Sequence, residues 1–234
     1  MKYCCNLCGS AENRCLISQD KKVHAPQHHV IYRQCSRCSF VSLDIDYENW
    51  KNGYNKDKFD LNKLDIYFEQ QKREAFNYLS YFGKHYEGIE TKSRGRVLEV
   101  GSAVSGCLSL WKERRWEVFG VEPNKFMVEY SLSQKGIGTL CSFYERNLFE
   151  KGKFDVIISY HVLEHSTRPY EMVCNFNYHL KKGGFLHVEV PNLWYTEVCQ
   201  LGWGHVSMFT PTTIRQILER AQFEVIDFHK KSYS

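Results

Sequence analysis

Two groups of residues combine types and spacing suited to chemistry. The first lies in RVLEVGSAVSGCLSLWKERRWEVFGVEP, from Arg96 to Pro123. An apolar strand ending in Glu99 and Val100 runs into Gly101, Ser102 and Ala103, residues small enough for a ligand to approach the main chain. Glu122, followed by Pro123, ends a second strand 21 positions after Gly101. A carboxylate there can accept hydrogen bonds from both hydroxyls of a ribose, as in a nucleotide-type pocket. The alternative is an ordinary βαβ unit with an unrelated acidic residue. The second group is a pair of Cys-x-x-Cys knuckles, Cys5 with Cys8 and Cys35 with Cys38, separated by 26 intervening residues. Four thiolates at this separation suit tetrahedral zinc, and four leave no open position for water, so the metal is structural. Cys4 is an alternative to Cys5, and Cys15, His24, His28 and His29 are lesser candidates. So short a segment has little core of its own, and metal binding would supply much of its folding energy.

The elements that position these residues follow from periodicity. Strands are predicted near 96–100, 117–122, 137–142, 154–159 and 185–190, and helices near 105–115, 124–135, 168–181 and 211–222. Such alternation predicts an α/β fold, a Rossmann-like and mainly parallel sheet with helices on both faces, preceded by a small zinc-ribbon-like segment. Ligands of such sheets sit at the carboxyl ends of the strands, where Gly101, Glu122, Ser142 and Tyr160 fall. The apolar positions Leu61, Leu64, Phe68, Ala75, Leu79 and Phe82 predict an amphipathic helix packed on the sheet. HVIYRQ, His29 to Gln34, reads as the strand that delivers the second knuckle. Three regions result: a zinc-binding segment over 1–43, a linker and helix over 44–94, and the Rossmann-like domain over 95–234. Tyr47, Trp50 and Tyr54 make the linker aromatic enough to fold over the pocket.

FDVIIS (Phe154 to Ser159), YHVLEH (Tyr160 to His165), the turn KKGG (Lys181 to Gly184), FLHVEV (Phe185 to Val190) and Pro191-Asn192 follow in order. From about Gly95 to Asp227 this run resembles the class I S-adenosylmethionine-dependent methyltransferases. The resemblance implies that Glu122 holds the ribose and that Glu99, Gly101, Ser102, Ala103 and Pro123 lie along the cofactor. It also implies that Ser142 and Phe143 lie near the adenine, and that Tyr160 and His161 lie under the methyl donor. The sequence departs from the family's E/D-x-G-x-G-x-G pattern, with Ala103 and Ser105 in place of glycines and a glycine displaced to Gly106. Alanine and serine limit positive φ angles.

CxxCGS…CxxC together with GHVSMFTPTTI resembles, more narrowly, the sugar methyltransferases that act on nucleotide-linked sugars. This implies methylation of a small carbohydrate at carbon or oxygen, with His205 as general base and His161 as the second choice. Gly204 stands where relatives often carry a glutamate, and Glu164-His165 reads as fixing the loop. Thr210 and Pro211 predict an N-cap and first helical residue. Two other readings are O-methylation of a phenolic or quinone-like metabolite, and an inactive zinc-ribbon binding module.

Bulk properties narrow the field. The 234 residues carry a formal net charge of +4, too slight for nucleic acid as a partner. There is no D/N-P-P-Y tetrad, Walker loop or serine nucleophile elbow. No apolar run reaches the roughly 20 residues needed to span a bilayer. MKYCCNLCGS lacks the apolar core of a signal peptide. The expectation is a cytoplasmic protein with a small-molecule partner and reduced cysteines. Phe223 to Phe228 predicts a sixth strand, and the polar His229 to Ser234 makes a poor seventh. A homodimer or partner completing the sheet edge is therefore also expected.

Overall fold

The computed structural model describes residues 4–21, 28–44, 61–85, 94–195 and 204–229. The chain divides into two compact units, one of Tyr54–Val162 with Tyr178–Glu189, the other of Met1–Gly53, Leu163–Asn177 and Val190–Ser234. The expected linker with its three aromatics, and His24, lie outside the described residues.

The first unit holds a five-stranded, wholly parallel sheet built from β4 (Arg96–Val100), β5 (Glu117–Val121), β6 (Thr139–Leu140), β7 (Phe154–Tyr160) and β8 (Leu180–Glu189). The order is β6-β5-β4-β7-β8. Consecutive strands step outward from β4 and then reverse, as in doubly wound α/β folds, so the switch point lies where β4 and β7 adjoin. Helices flank this sheet: α1 (Leu61–His85), α2 (Gly106–Glu113) and α3 (Lys125–Lys135). Leu64 and Phe68 of α1 pack with Val104 and Tyr130, while Ala75 and Leu79 join Val97, Leu108, Trp111, Val156 and Ile158. Of the predicted stripe, Leu64, Phe68, Ala75 and Leu79 are thus core, as their spacing requires. α3 is capped by Asn124, whose side chain accepts the amides of Phe126 and Met127, and stopped by Gly136 in a left-handed conformation.

In the second unit an antiparallel sheet runs in the order β1 (Asn13–Lys21), β2 (His28–Cys35), β3 (Val41–Leu43), β9 (Ser207–Met208). The knuckle segment is therefore paired with a strand more than 160 residues downstream, Val41 with Met208 and Ser42 with Ser207. Tyr32, Val41 and Met208 form its apolar centre. The remaining helices are α4 (Pro169–His179), whose last residues belong to the first unit, and α5 (Pro211–Arg220). α5 begins as predicted, with Thr210 as N-cap, Pro211 in the first turn and a capping box to Thr213.

Two expectations are corrected. Phe223 to Phe228 forms no strand among the described residues. Its alternation leaves Ile226 and Phe228 55% and 38% exposed, and alternation alone does not make β-structure without ladder hydrogen bonds. The third strand of the parallel sheet is two residues long, Thr139–Leu140, rather than spanning 137–142. Beyond it, the loop is tied by the Tyr144 hydroxyl, which donates to His179 Nδ1 at 2.5 Å, while His179 Nε2 donates to the Arg146 carbonyl at 3.0 Å.

Gly106 serves helix packing. A Cβ there would stand 2.4 Å from the Phe68 carbonyl oxygen and 2.9 Å from the Lys72 amide nitrogen, both backbone atoms of α1. The Gly106 amide itself donates to Gln71 Oε1 at 3.2 Å. Replacing Gly106 by alanine should therefore lower unfolding free energy by about 1–3 kcal/mol, measured by urea denaturation. Wild-type stability in that variant would show that α1 and α2 do not cross at this glycine.

Candidate functional site

The carboxyl ends of β4 and β5 lie side by side, with Glu99 opposite Gly120 and Val100 opposite Val121. The chain turns at once after Val100, because the amides of Gly101 and Ser102 donate to the Val121 carbonyl at 2.8 and 3.2 Å. Gly101 has φ +73°, and a Cβ on it would meet Val162 Cγ2 at 2.3 Å, so a valine methyl already occupies the space the missing side chain leaves. Ala103 and Ser105 hold φ of 44° and 63°. The left-handed backbone of the glycine pattern is thus retained without the glycines, at a cost on the order of 1–2 kcal/mol for each residue.

Glu122, 4% exposed, is the hinge of this arrangement. Its Oε2 accepts the Ala103 amide at 3.0 Å and its Oε1 accepts the Asn124 amide at 2.8 Å. A carboxylate oxygen has two acceptor sites, so each still has one for a ligand hydroxyl. Burial raises its pKa, and the two amides pull it back. Glu99 is buried more deeply, and its Oε2 has no hydrogen-bond partner. The hydroxyls of Ser102 and Ser105 at the same turn, and of Ser159 on β7, are likewise buried and unpartnered. Unsatisfied buried polar atoms concentrated at strand ends fit a ligand that carries hydroxyls and positive groups. S-adenosylmethionine offers a ribose diol, an ammonium and a sulfonium.

Ser142 and Phe143 follow β6, where the Glu122 and Ser142 amides share the Leu140 carbonyl at 2.9 and 3.0 Å. Pro123 continues from Glu122 into the α3 cap. Tyr160 ends β7, and its hydroxyl is 2.7 Å from His187 Nδ1. His161, with φ 54°, donates its backbone amide to the Glu189 carbonyl at 3.0 Å and places Nε2 3.2 Å from Glu189 Oε1. The Tyr78 hydroxyl also bonds to Glu189. Glu189, His187 and Tyr78 were not anticipated as site residues, because each sat inside a segment read only as strand or helix. Tyr67 on α1 was missed too. The residue as a whole is 38% exposed, yet desolvation and the charges of Glu122 and Glu99 raise its pKa, and its place beside Phe68, off the apolar stripe, was the available signal.

In the second unit the four thiolates converge. Cys5, Cys8, Cys35 and Cys38 hold their sulfurs within 4.8 Å of one another, with Cys5–Cys38 at 3.6 Å and Cys8–Cys35 at 3.5 Å. Tetrahedral sulfurs at a Zn–S length of about 2.3 Å stand about 3.8 Å apart, so the donor set fits zinc. The knuckles repeat one turn: Gly9 and Ser39 donate to the carbonyls of Cys5 and Cys35 at 2.8 and 3.0 Å, both with positive φ. Cys4 is exposed and turned to the Gly9 carbonyl, outside the cluster. His205 lies in this same unit, its carbonyl accepting the Tyr32 hydroxyl at 2.7 Å and its ring 5.0 Å from that of His165.

Burial lifts the Glu99 carboxyl to about 8. The unfolded chain releases this proton near 4.5, so between these values the folded state alone keeps it. Stability should therefore be greatest below the lower value and fall toward the upper, with a slope of about 1.4 kcal/mol per pH unit. Glu99→Gln should flatten that slope in denaturation curves taken across the window, and an unchanged slope would assign the effect elsewhere.

Comparison with known proteins agrees with the geometry. The profile of a family described as "Methyltransferase domain" matches residues 67–227. No curated protein matches the chain. Among solved structures, the fold is similar to a SAM-dependent methyltransferase from Archaeoglobus fulgidus at 21% identity and TM-score 0.53, covering 76% of this chain and 75% of that one. One from Thermotoga maritima matches at 19% identity and TM-score 0.55, covering 70% and 77%. A Haemonchus contortus phosphoethanolamine N-methyltransferase, solved with phosphomonomethylethanolamine and S-adenosylhomocysteine, matches at 18% identity and TM-score 0.54, covering 64% and 36%. With the profile matched over more than half its length, the chain belongs to the methyltransferase-domain family, as a class I enzyme dependent on S-adenosylmethionine.

Proposed function

We propose that this methyltransferase acts on a small carbohydrate, a nucleotide-linked sugar, at a hydroxyl oxygen or carbon. The cofactor half of the reading is carried by one observation: Glu122, buried at the end of β5, spends one acceptor site of each oxygen on the Ala103 and Asn124 amides. The remaining sites suit a ribose diol. Gly101, Ser102, Ala103 and Glu99 would face the methionine portion, Pro123, Ser142 and Phe143 the adenine, and Tyr160 and His161 the methyl. A sulfonium methyl is already activated, so the protein's task is to align it with the nucleophile and accept the proton released.

The acceptor half rests on resemblance, on CxxCGS…CxxC with GHVSMFTPTTI, which implies His205 as the general base. A second assignment, His161, is favoured by its 3.2 Å contact with Glu189, which orients the imidazole. Cys5, Cys8, Cys35 and Cys38 would hold a structural zinc ion that braces the antiparallel sheet. Among the described residues no helix is long and apolar enough to cross a membrane.

Calorimetric titration with S-adenosylmethionine tests the cofactor site. Glu122→Ala should weaken binding by roughly tenfold or more, about 1.4 kcal/mol, and an unchanged dissociation constant would remove Glu122 from it. His205→Ala should abolish turnover of nucleotide-sugars while sparing cofactor affinity. Retained turnover with the same variant of His161 inactive would transfer the role. Turnover of phenols in place of sugars would overturn the carbohydrate assignment. Cys35→Ser with Cys38→Ser should release zinc in metal analysis, and undiminished zinc would refute that ligand set.

A further inference from the structure

Glu164, His165 and His205 belong neither to the thiolate cluster nor to the strand ends of the parallel sheet, yet one donor atom of each lies within 4.8 Å of the other two. We propose that they form a second metal site, for a divalent first-row transition cation held by two imidazoles and one carboxylate. A metal-bound His205 has no lone pair left for a proton, so this site goes with His161, not His205, as the base. All three residues fall in one compact unit.

Their backbone is tied from both sides. Glu164 and His165 sit in a 3-10 turn, Leu163–His165. The Val206 amide donates to the Glu164 carbonyl at 2.8 Å, and the Ser207 hydroxyl to the Ser166 carbonyl at 2.7 Å. On the other side the Tyr32 hydroxyl donates to the His205 carbonyl at 2.7 Å, and the Leu43 amide to the Val206 carbonyl at 2.8 Å. The donors are therefore held in place by main-chain bonds that do not involve an ion, which is the pre-organisation a metal site needs.

The tautomer of one ligand is defined. His165 Nδ1 lies 3.1 Å from the Gly204 carbonyl oxygen, which can only accept, so Nδ1 carries the proton and Nε2 keeps its lone pair. A metal-bound histidine characteristically donates its other N–H to a backbone carbonyl in this way. Gly204 has φ +81°, and a Cβ there would come within 3.3 Å of His165 Nδ1, so glycine at this position leaves room for the ring. Glu164 is 2% exposed, and a cation beside it would offset part of the cost of burying its charge. Thus the carboxylate absent at position 204 is supplied from the turn.

The donor set selects the ion. Two imidazoles disfavour magnesium and calcium, whereas two histidines with one carboxylate suit manganese, iron, cobalt or zinc. Three protein ligands leave open positions for an oxygen ligand, unlike the closed set of four thiolates.

Manganese(II) is the probe, because thiolate sites bind it weakly. The intact chain, with its thiolate cluster zinc-loaded, is titrated with manganese(II), and free ion is read by electron paramagnetic resonance. One manganese per chain should bind and be displaced by added zinc. Glu164→Gln and His165→Gln should each weaken binding by roughly tenfold or more, with circular dichroism and S-adenosylmethionine binding confirming the fold. Cys35→Ser should leave manganese binding intact. No bound manganese in the wild type at millimolar concentration, or equal affinity in both variants, would overturn the site and leave a carboxylate–imidazole cluster. Neither result bears on cofactor binding, which is read separately by calorimetry.

Discussion

The parallel-sheet unit depends on the carboxylate of Glu122. Its two oxygens join the Ala103 amide of the β4–α2 turn to the Asn124 amide that starts α3. Those two loops come from separate βα steps, and the carboxylate adds to the bonds that the Gly101 and Ser102 amides make to the Val121 carbonyl in joining them. The bond across them is worth more than a surface contact because the group is buried and both donors would otherwise go unsatisfied. It also sets the geometry in which Ala103 and Ser105 keep left-handed backbones that their side chains disfavour. One buried acid thus ties two loops at the carboxyl ends of neighbouring strands.

A comparable economy marks the antiparallel unit. The first cysteine knuckle precedes β1 and the second joins β2 to β3, and β3 pairs with the two-residue strand that follows His205. Closing a loop of this length costs entropy that grows only with its logarithm, so one ladder, the Tyr32 hydroxyl bond and a small apolar centre suffice to hold it. The consequence is that the thiolate cluster and the histidine-bearing loop share one sheet.

Around Tyr160 and Glu189, the last residues of β7 and β8, the polar side chains are paired. Tyr160 meets His187, Tyr78 and His161 both meet Glu189, and the rings of Tyr78 and Tyr160 stack 5.0 Å apart. This contrasts with Glu99, Ser102, Ser105 and Ser159, whose buried polar atoms lack partners. The division separates a network that stiffens the scaffold from atoms that await a ligand.

The sequence by itself determined what depends on local periodicity and short spacing. The strand–turn–helix order of Arg96 to Pro123, the stripe of α1, the Thr210 cap and the two cysteine knuckles all arise from residues a few positions apart. Their hydrogen bonds and apolar faces are dictated within that range. Tertiary structure alone decided that Phe223 to Phe228 forms no strand among the described residues, since strand formation needs ladder bonds that no alternation can supply. It alone brought Glu189 to His161, Tyr67 toward Glu99 and Glu122, and Glu164 with His165 to His205. Those meetings join positions dozens of residues apart, and only packing of whole elements fixes which side chains face one another.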